Sequence, residues 1–340
     1  MSHPRRLGAA LLAALAAVAS LAIVAAPAGA AGPPLPVAAN GNTVEVVGTG
    51  VPTPTAFAFS GSTVFAGSGP NEQSGGPGGL FTVADGKATK VPGSPPVVFG
   101  LAMKGSSLYV STGPSIIAMS GWDGTKFAST KTVYASKEKG FPGFNGLAFG
   151  PEGRLYAGLA LSEKYDHSKD PFEPSQALVS MTAAGKGLKV VTEGLRQPFQ
   201  LVFPQGSKYP WVTVLSQDKG KGPVPNDEVV QAKPGQNYGF PTCTWPAAET
   251  MKSCKGFDEP AILLPPHSSP MGIGAIGNTF YVSLFGGAAG KGPEVVTMSK
   301  KGQPFPFLTG FAAPTIALGI NNGSVYVGDL TGTIYKVAAK

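Results

Sequence analysis

The sequence predicts an all-β protein folded as a six-bladed β-propeller, with the last blade closed by a strand from near the N-terminus. Three observations predict it. One strand–turn–strand phrase recurs six times, turn-forming residues are abundant, and no long amphipathic helical pattern occurs. The chain of 340 residues contains 48 Gly and 33 Pro, and its hydrophobic content of 42% is sufficient for a core.

Each copy of the phrase has an apolar strand, a turn, and a second strand that opens on aromatic or apolar residues. This alternation fits two half-buried strands joined as a hairpin. The copies are Thr55–Gly69, Phe99–Gly113, Asn145–Ala160, Phe199–Ser216, Met271–Gly286 and Pro314–Gly332. A strand repeat with a period of roughly 40–50 residues is typical of a β-propeller. A β-sandwich is the alternative, but it gives no reason for one phrase to return six times.

Further strands complete the predicted blades. Third strands are predicted at Gly79–Val83, Ser115–Met119, Ala177–Met181, Glu294–Met298 and Gly332–Val337, and outer strands at Ala88–Val91, Lys131–Tyr134 and Leu188–Thr192. The last copy ends after its third strand, so we expect Thr43–Val47 to supply its outer strand and leave no open sheet edge. The propeller is thus predicted to span residues 43–340, after a flexible Pro- and Gly-rich segment at residues 31–42.

Residues 1–30 have the pattern of a secretory signal peptide. Arg5 and Arg6 precede the apolar stretch Leu7–Ala26, and Ala28-Gly29-Ala30 matches an A-x-A cleavage site. The length of the apolar stretch leaves an uncleaved membrane anchor as the alternative. We therefore expect a secreted, periplasmic or cell-surface protein that is not stably inserted in a membrane once the signal is cleaved.

The two cysteines of the chain, Cys243 and Cys254, lie close together in a loop. In an exported protein we expect them to form a disulfide. Closing this short loop stabilises the fold by roughly 3 kcal/mol in the chain-entropy description. A metal site is the weaker alternative, because two Cys without a nearby His cannot complete a tetrahedral zinc shell.

Composition and motif content exclude several classes of function. The net charge of +7 is spread along the chain, and no basic run is interleaved with aromatic residues, so a nucleic-acid partner is not expected. The sequence contains no G-x-S-x-G, no Walker-type Gly-Lys-Ser/Thr loop and no H-E-x-x-H. Nothing in the sequence indicates the oligomeric state.

A series of short motifs runs through the region Phe149–Gly272. They are Phe149–Tyr156 (FGPEGRLY), Gly194–Phe199 (GLRQPF), Asp227–Glu228, Gln236–Pro241 (QNYGFP), the two cysteines, and Pro266–Gly272 (PHSSPMG). Together they resemble the motifs of the glucose/sorbosone dehydrogenase family, soluble six-bladed quinoproteins that use pyrroloquinoline quinone (PQQ) with calcium. The resemblance implies a small-molecule sugar substrate, an aldose or related sugar alcohol, oxidised by hydride transfer to PQQ.

The resemblance also implies residues that bind the cofactor. Arg196 would hold a carboxylate of the quinone or stabilise charge on its carbonyl oxygen, which makes it a catalytic candidate as well. A structural ion pair between this Arg and Asp227 or Glu228 is the alternative. Gln197 is assigned to cofactor binding beside it.

Two further groups of residues follow from the motifs. Asn237 and Tyr238 either face the cofactor or simply end the blade. Calcium prefers oxygen ligands, and the resemblance points to backbone carbonyls of Gly222 and Pro223 with the carboxylate of Asp227.

One family feature is missing from the chain. Family enzymes carry a His shortly before the motif that begins at Phe149, and it takes the proton from the sugar hydroxyl. The corresponding residues 141–146 contain no His, and without a base the proton transfer is slower by about 10²–10⁴-fold. His267 is the candidate substitute, with a structural His bonded to a loop carbonyl as the alternative. His167 is expected to be solvated, and a metal role for it with Asp166 and Asp170 matches no known ligand spacing.

The missing base leaves more than one function open. The leading prediction is an exported PQQ-dependent sugar dehydrogenase or a close relative. The alternative is a catalytically inactive binding or surface propeller descended from the same family. A lactonase-like propeller hydrolase would need carboxylate and Asn ligands around one divalent metal, and the sequence does not identify such a set.

Overall fold

The computed structural model of the chain describes residues 34–70, 76–138, 141–217, 224–245, 254–287 and 291–340. The predicted signal peptide lies outside these residues. Within them the chain is built of β-strands, and the one helical element is the 3-10 turn Glu163–Tyr165. In this part of the chain no helix has the length and apolar character needed to cross a membrane.

The strands are numbered in chain order. The first fourteen are β1 (Val37–Ala38), β2 (Val44–Thr49), β3 (Pro54–Ser60), β4 (Thr63–Ser68), β5 (Gly79–Ala84), β6 (Gly86–Lys90), β7 (Gly100–Lys104), β8 (Ser107–Ser111), β9 (Ser115–Trp122), β10 (Phe127–Ala135), β11 (Phe144–Phe149), β12 (Leu155–Leu159), β13 (Leu178–Met181) and β14 (Lys189–Glu193). The others are β15 (Gln197–Val202), β16 (Trp211–Leu215), β17 (Asp227–Gln231), β18 (Gln236–Asn237), β19 (Ile262–Leu264), β20 (Pro270–Ile276), β21 (Thr279–Leu284), β22 (Glu294–Ser299), β23 (Phe305–Thr309), β24 (Thr315–Asn321), β25 (Ser324–Asp329) and β26 (Thr333–Ala338).

These strands form six four-stranded antiparallel blades. Blade 1 is β3 to β6, blade 2 is β7 to β10, blade 3 is β11 to β14, blade 4 is β15, β16, β17 and β19, blade 5 is β20 to β23, and blade 6 is β24 to β26 with β2. Each inner strand contacts the inner strands of both neighbouring blades, in the closed order β3, β7, β11, β15, β20, β24 and back to β3. The described residues therefore form a closed six-bladed propeller, which confirms the predicted fold.

The ring closes as the sequence predicts. Strand β2 pairs antiparallel with β26, with Val44 opposite Val337 and Val46 opposite Tyr335. The outer strand of the last blade thus comes from the start of the propeller. At its far end β2 also makes a short parallel pair with β6, where Gly48 lies opposite Gly86, and this joins blades 6 and 1 at their outer edges.

Two blades carry a fifth strand that the sequence did not indicate. Val37 and Ala38, within the segment expected to be flexible, pair with Thr309 and Leu308 of β23. Strand β18 pairs in parallel with β14, the outer strand of blade 3. Both additions cover the outer edge of a blade.

The core lies between the blades. Six clusters of buried apolar side chains each fill the space between two neighbouring blades, such as Phe65 with Leu108 between blades 1 and 2. The other five clusters follow the same order around the ring. A seventh cluster joins Phe199, Met271 and Ile316, which lie on the inner strands of blades 4, 5 and 6.

The predicted disulfide is present between Cys243 and Cys254, whose Cα atoms are 5.1 Å apart. Both residues are buried, and they pack with Trp245 and Phe257 in a small apolar cluster of their own. The Trp245 indole Nε1 donates to the carbonyl of Tyr238 at 3.0 Å. The disulfide therefore holds together the loop between β18 and β19.

Candidate functional site

The loops of the propeller fall on two faces, because the strands of each blade are antiparallel. One face, called the entry face below, carries the segments that lead into the inner strands and the connections from second to third strands. The loop between the second and third strands is short in blades 2 and 6, where it comprises residues 112–114 and 330–332. It is much longer in blades 3 and 4, where it comprises residues 160–177 and 216–226. Loops on a rigid scaffold are where binding residues concentrate, so the entry face over blades 3 and 4 is the candidate site.

Arg196 precedes β15 on the entry face and is buried, with 6% of its surface exposed. Its Nη1 donates to the carbonyls of Leu215 at 3.1 Å and Ser216 at 2.8 Å, and its Nε donates to the carbonyl of Asp166 at 3.3 Å. Its Nη2 forms an ion pair with the Asp166 carboxylate. The ion-pair partner thus comes from blade 3, whereas the sequence suggested a carboxylate of blade 4. Four of the five guanidinium N–H groups are used in this way, which leaves one for a ligand.

Asp227, the first residue of β17, is also buried on this face. Its Oδ1 accepts a hydrogen bond from the Ser216 N–H at 2.8 Å. Its Oδ2 accepts from the Ser268 hydroxyl at 3.1 Å and from the Ser269 N–H at 2.8 Å. Because the Ser216 carbonyl receives Arg196, one hydrogen-bonded network joins blade 3, blade 4 and the turn that enters blade 5.

His267 lies in that turn, directly before Ser268. It is exposed, and its φ of 59° falls in the left-handed region, which non-glycine residues adopt rarely. Arg196, Asp227 and the turn that carries His267 therefore occupy one connected stretch of the entry face. That His267 acts as a base stays a prediction.

Two buried amide oxygens lie at the N-terminal ends of the neighbouring inner strands β11 and β15. Asn145 of β11 and Gln197 of β15 are each at most 2% exposed, and Asn145 Oδ1 and Gln197 Oε1 have no hydrogen-bond partner among the described residues. The Asn145 amide nitrogen donates to the carbonyl of Pro198 at 2.9 Å, so the two strand ends are adjacent. A buried carbonyl without a donor costs roughly 1–3 kcal/mol, and such orphans are explained by water or by a ligand that donates hydrogen bonds.

Asn237 and Tyr238 lie elsewhere in the blade. Asn237 belongs to β18, which pairs with the outer strand of blade 3, and its side-chain oxygen accepts from the Gly239 N–H at 2.9 Å. Tyr238 is buried, and its hydroxyl donates to the carbonyl of Gln231 at 3.1 Å. Burial raises the pKa of Tyr238 well above its usual range. Neither of these hydrogen bonds belongs to the Arg196 network, and a cofactor-binding role for Asn237 and Tyr238 stays a prediction.

A carboxylate–imidazole pair lies beside Arg196, whereas the sequence analysis expected His167 to be solvated and assigned it no role in the site. Asp166 Oδ2 lies 3.0 Å from His167 Nε2, while its other oxygen pairs with Arg196. His167 Nδ1 lies 3.2 Å from the Gln217 side-chain oxygen, so the pair bridges the loops of blades 3 and 4. About half of the His167 side chain is exposed. The nearest signal in the sequence was the charged run around residue 166 inside an oversized loop.

The channel is bridged below the entry face. Gln200 of blade 4 donates from its amide nitrogen to the carbonyls of Thr55, at 3.1 Å, and Phe99, at 2.9 Å. Thr55 belongs to blade 1, on the opposite side of the ring. A Cβ on Gly146 would lie 2.7 Å from the carbonyl oxygen of Phe199 and 2.8 Å from the Cα of Gln200, both backbone atoms, so only glycine fits beside this bridge. The centre of the ring is therefore packed at this level, and a ligand on the axis would sit above it.

The structure shares its fold with solved sugar dehydrogenases. The PQQ-bound aldose sugar dehydrogenase from Streptomyces coelicolor matches with a TM-score of 0.67 and 21% identity, over 87% of this chain and 98% of that one. The soluble aldose sugar dehydrogenase from Escherichia coli, in its apo form, matches with a TM-score of 0.68 and 17% identity, over 88% and 99%. A calcium structure of the Trichoderma reesei carbohydrate-active enzyme family AA12 matches with a TM-score of 0.71 and 16% identity, over 92% and 98%.

No family model and no curated protein matches the sequence. At identities of 16 to 21% the likeness to solved structures concerns the fold. That fold is the one implied by the motifs of the sequence, and these neighbours include aldose sugar dehydrogenases of the kind that the motifs resemble.

The described residues do not fit a calcium site centred on Asp227. Both of its carboxylate oxygens accept hydrogen bonds, from Ser216, Ser268 and Ser269. The described ranges contain no group of three or more His, Cys, Asp or Glu side chains arranged to hold a metal ion. Gly222 and Pro223, the other assigned ligands, lie outside the described residues.

A quinone fits this face in a different way from the one that the sequence implied. With one N–H left, Arg196 cannot hold a carboxylate through two parallel bonds. The orphan oxygens of Asn145 and Gln197 accept hydrogen bonds, and PQQ has a pyrrole N–H that can supply one. The residues that would hold the group are therefore Gln197, Asn145 and the remaining N–H of Arg196, and both amide oxygens would first have to be uncovered, because they are fully buried.

Proposed function

We propose that this chain is an exported quinoprotein-type sugar dehydrogenase, which oxidises a CH–OH group of an aldose or related sugar alcohol. The observation that carries the proposal is the pair of orphan oxygens, Asn145 Oδ1 and Gln197 Oε1, at the N-terminal ends of inner strands beside the Arg196 network. A ligand that donates hydrogen bonds would satisfy these two oxygens, and both the ring N–H of PQQ and the hydroxyls of a sugar are such donors. The fold and the motif resemblance support the same function.

Each residue of the site has a distinct part in the proposal. PQQ, when bound, supplies the acceptor for a hydride. Gln197 and Asn145 accept hydrogen bonds from the bound molecules, and Arg196 adds one donated bond. Asp227 holds the turn at Ser268 and Ser269 in place through two hydrogen bonds to its Oδ2, so it shapes the site without touching the ligand.

The test is a titration of the purified protein with PQQ, with and without added calcium, followed by absorbance spectroscopy and by dye reduction with D-glucose. We expect a shifted quinone spectrum and sugar-dependent reduction of 2,6-dichlorophenolindophenol. Gln197→Met should weaken PQQ binding about tenfold, because one hydrogen bond is worth about 1.4 kcal/mol. Gln205→Met, exposed on the opposite face, is the matched control and should bind PQQ like the wild type.

The second candidate is a sugar-binding propeller without redox activity. Two observations favour it: residues 141–146 contain no His, and Arg196 is mostly engaged by Asp166 and two carbonyls. This candidate replaces the first if the wild-type protein leaves the PQQ spectrum unchanged, reduces no dye with any aldose, and still binds saccharide in calorimetry.

A further inference from the structure

The structure contains an oriented imidazole on the same face as the orphan amides, and its position in the sequence differs from that of the missing family base. His167 lies in the loop of residues 160–177, which connects the second and third strands of blade 3 on the entry face. Its side chain is 45% exposed, whereas its partner Asp166 is 33% exposed and the Arg196 behind Asp166 is 6% exposed. Exposure therefore decreases from the imidazole inward, which leaves the ring as the part of the group that meets solvent.

We propose that His167 is the catalytic base of this site and that Asp166 is its positioning residue. The inference rests on the proposed function and deepens it. A base needs hydrogen-bond reach to the proton it takes, and a partner that holds its ring in one orientation. Asp166 provides that partner through the 3.0 Å contact between its Oδ2 and His167 Nε2.

The direction of the proton transfer follows from the contacts. With Nε2–H donating to Asp166, the neutral ring carries its lone pair on Nδ1. Nδ1 faces the Gln217 side-chain oxygen at 3.2 Å, which is an acceptor, so this contact is a hydrogen bond only while Nδ1 carries a proton, and the lone pair becomes available once Gln217 is displaced. A sugar hydroxyl that takes the place of the Gln217 amide donates to Nδ1. As the carbon–oxygen bond becomes a carbonyl, the hydroxyl proton passes to Nδ1 and the hydride on carbon leaves to the quinone oxidant.

Arg196 has a structural part in this arrangement. It contacts Asp166 twice, by a hydrogen bond to the backbone carbonyl and by an ion pair with the carboxylate. It also donates hydrogen bonds to the carbonyls of Leu215 and Ser216 at the end of β16. The loop of blade 3 is thus anchored to blade 4 at the point where His167 is held. The turn that carries His267 is fixed separately, through the hydrogen bonds that Ser268 and Ser269 donate to Asp227.

The experiment compares variants of the full-length protein loaded with PQQ. His167→Gln should lower kcat for dye reduction by about 10²–10⁴ with little change in KM for D-glucose, and added imidazole should restore part of the loss. Asp166→Asn should lower kcat by a smaller factor, because the imidazole of His167 remains but loses the carboxylate that orients its ring. Lys169→Gln, on the same loop and 56% exposed, is the matched control and should keep wild-type kinetics.

A second measurement does not depend on turnover. Diethyl pyrocarbonate should modify His167, read by mass spectrometry of its peptide, and saturating D-glucose should slow that modification. His167→Gln with wild-type kcat, His267→Gln with the larger loss, or labelling of His167 that glucose does not slow would each overturn the proposal. A wild-type protein that reduces no dye would instead remove the proposed function, so the two failures are distinguishable.

Discussion

Asp227 and Glu228 are neighbours on β17, so their side chains point to opposite faces of blade 4 and meet opposite environments. Asp227 receives hydrogen bonds from Ser216, Ser268 and Ser269 and joins two blades. Glu228 is buried, and its pKa is raised well above its usual range, first by burial and then by the charge of Asp227. On this strand a buried carboxylate stays charged where several hydrogen-bond donors converge on it, as at Asp227, whereas burial favours the protonated form of Glu228.

The largest expected effect comes from removing the side chain of Asp227. Asp227→Ala leaves three donors without their acceptor on a buried face, and we expect a loss of about 4 kcal/mol in the free energy of unfolding. Urea unfolding followed by tryptophan fluorescence measures it. Asp227→Asn, which keeps one oxygen acceptor, should lose less and remain foldable.

A matched control for Asp227 exists on the surface. Asp123 accepts hydrogen bonds from the N–H groups of Thr125 and Lys126 at 2.8 and 2.9 Å in an exposed turn. Asp123→Ala should change stability little, because water replaces the lost acceptor. Equal losses at Asp123 and Asp227 would contradict the role assigned to the buried network.

Replacing Glu228 by Gln should increase the free energy of unfolding, and the increase should grow with pH. Because the folded-state pKa of Glu228 is raised above 4.5, the folded protein binds this proton more tightly than the unfolded chain. The stability from that proton is fully present below the unfolded pKa and is lost as pH rises through the folded pKa. Glu228→Gln removes the loss, so the variant should exceed the wild type increasingly from pH 5 to pH 8 in urea unfolding.

The control for that gain is Glu45→Gln. Glu45 is 63% exposed and pairs with Lys336 at 3.4 Å on the surface, where an ion pair contributes little. Its replacement should produce no gain that grows with pH. A Glu228→Gln protein that tracks the wild type at every pH would show that the carboxyl is not strained by burial.

The fold was predictable because its information is local and repeated. Each hairpin carries its own alternation, and the strands predicted at Ser115–Met119 and Glu294–Met298 lie within the observed β9 and β22. Even the long-range closure by β2 followed from a local fact, the end of the last copy after its third strand. The pairing of Val37 and Ala38 with β23 did not follow, because a strand of two residues has no periodicity to detect.

The candidate site was predictable only in part, because its contacts depend on how the loops fold over one another. The motifs located Arg196 and Asp227, but not the partner of Arg196, since Asp166 comes from a loop of another blade. Gln200 bridges the ring to Thr55 and Phe99, which are 145 and 101 residues away in sequence. No spacing rule connects residues that meet only because six blades close around an axis.

The smallest predicted effect tests whether the charge of Asp227 strengthens the bonds it accepts. Ser268 and Ser111 are both fully buried, and each hydroxyl donates one bond, to the Asp227 carboxylate at 3.1 Å and to the backbone carbonyl of Asn145 at 2.7 Å. Hydrogen bonds to charged groups contribute about 1.5–3 kcal/mol and those between neutral groups about 0.5–1.5. Ser268→Ala should therefore destabilise the protein by about 1 kcal/mol more than Ser111→Ala in paired urea unfolding. If Ser111→Ala costs as much or more, the shorter neutral bond is the stronger one, and the strength of the Asp227 network lies in its two backbone donors.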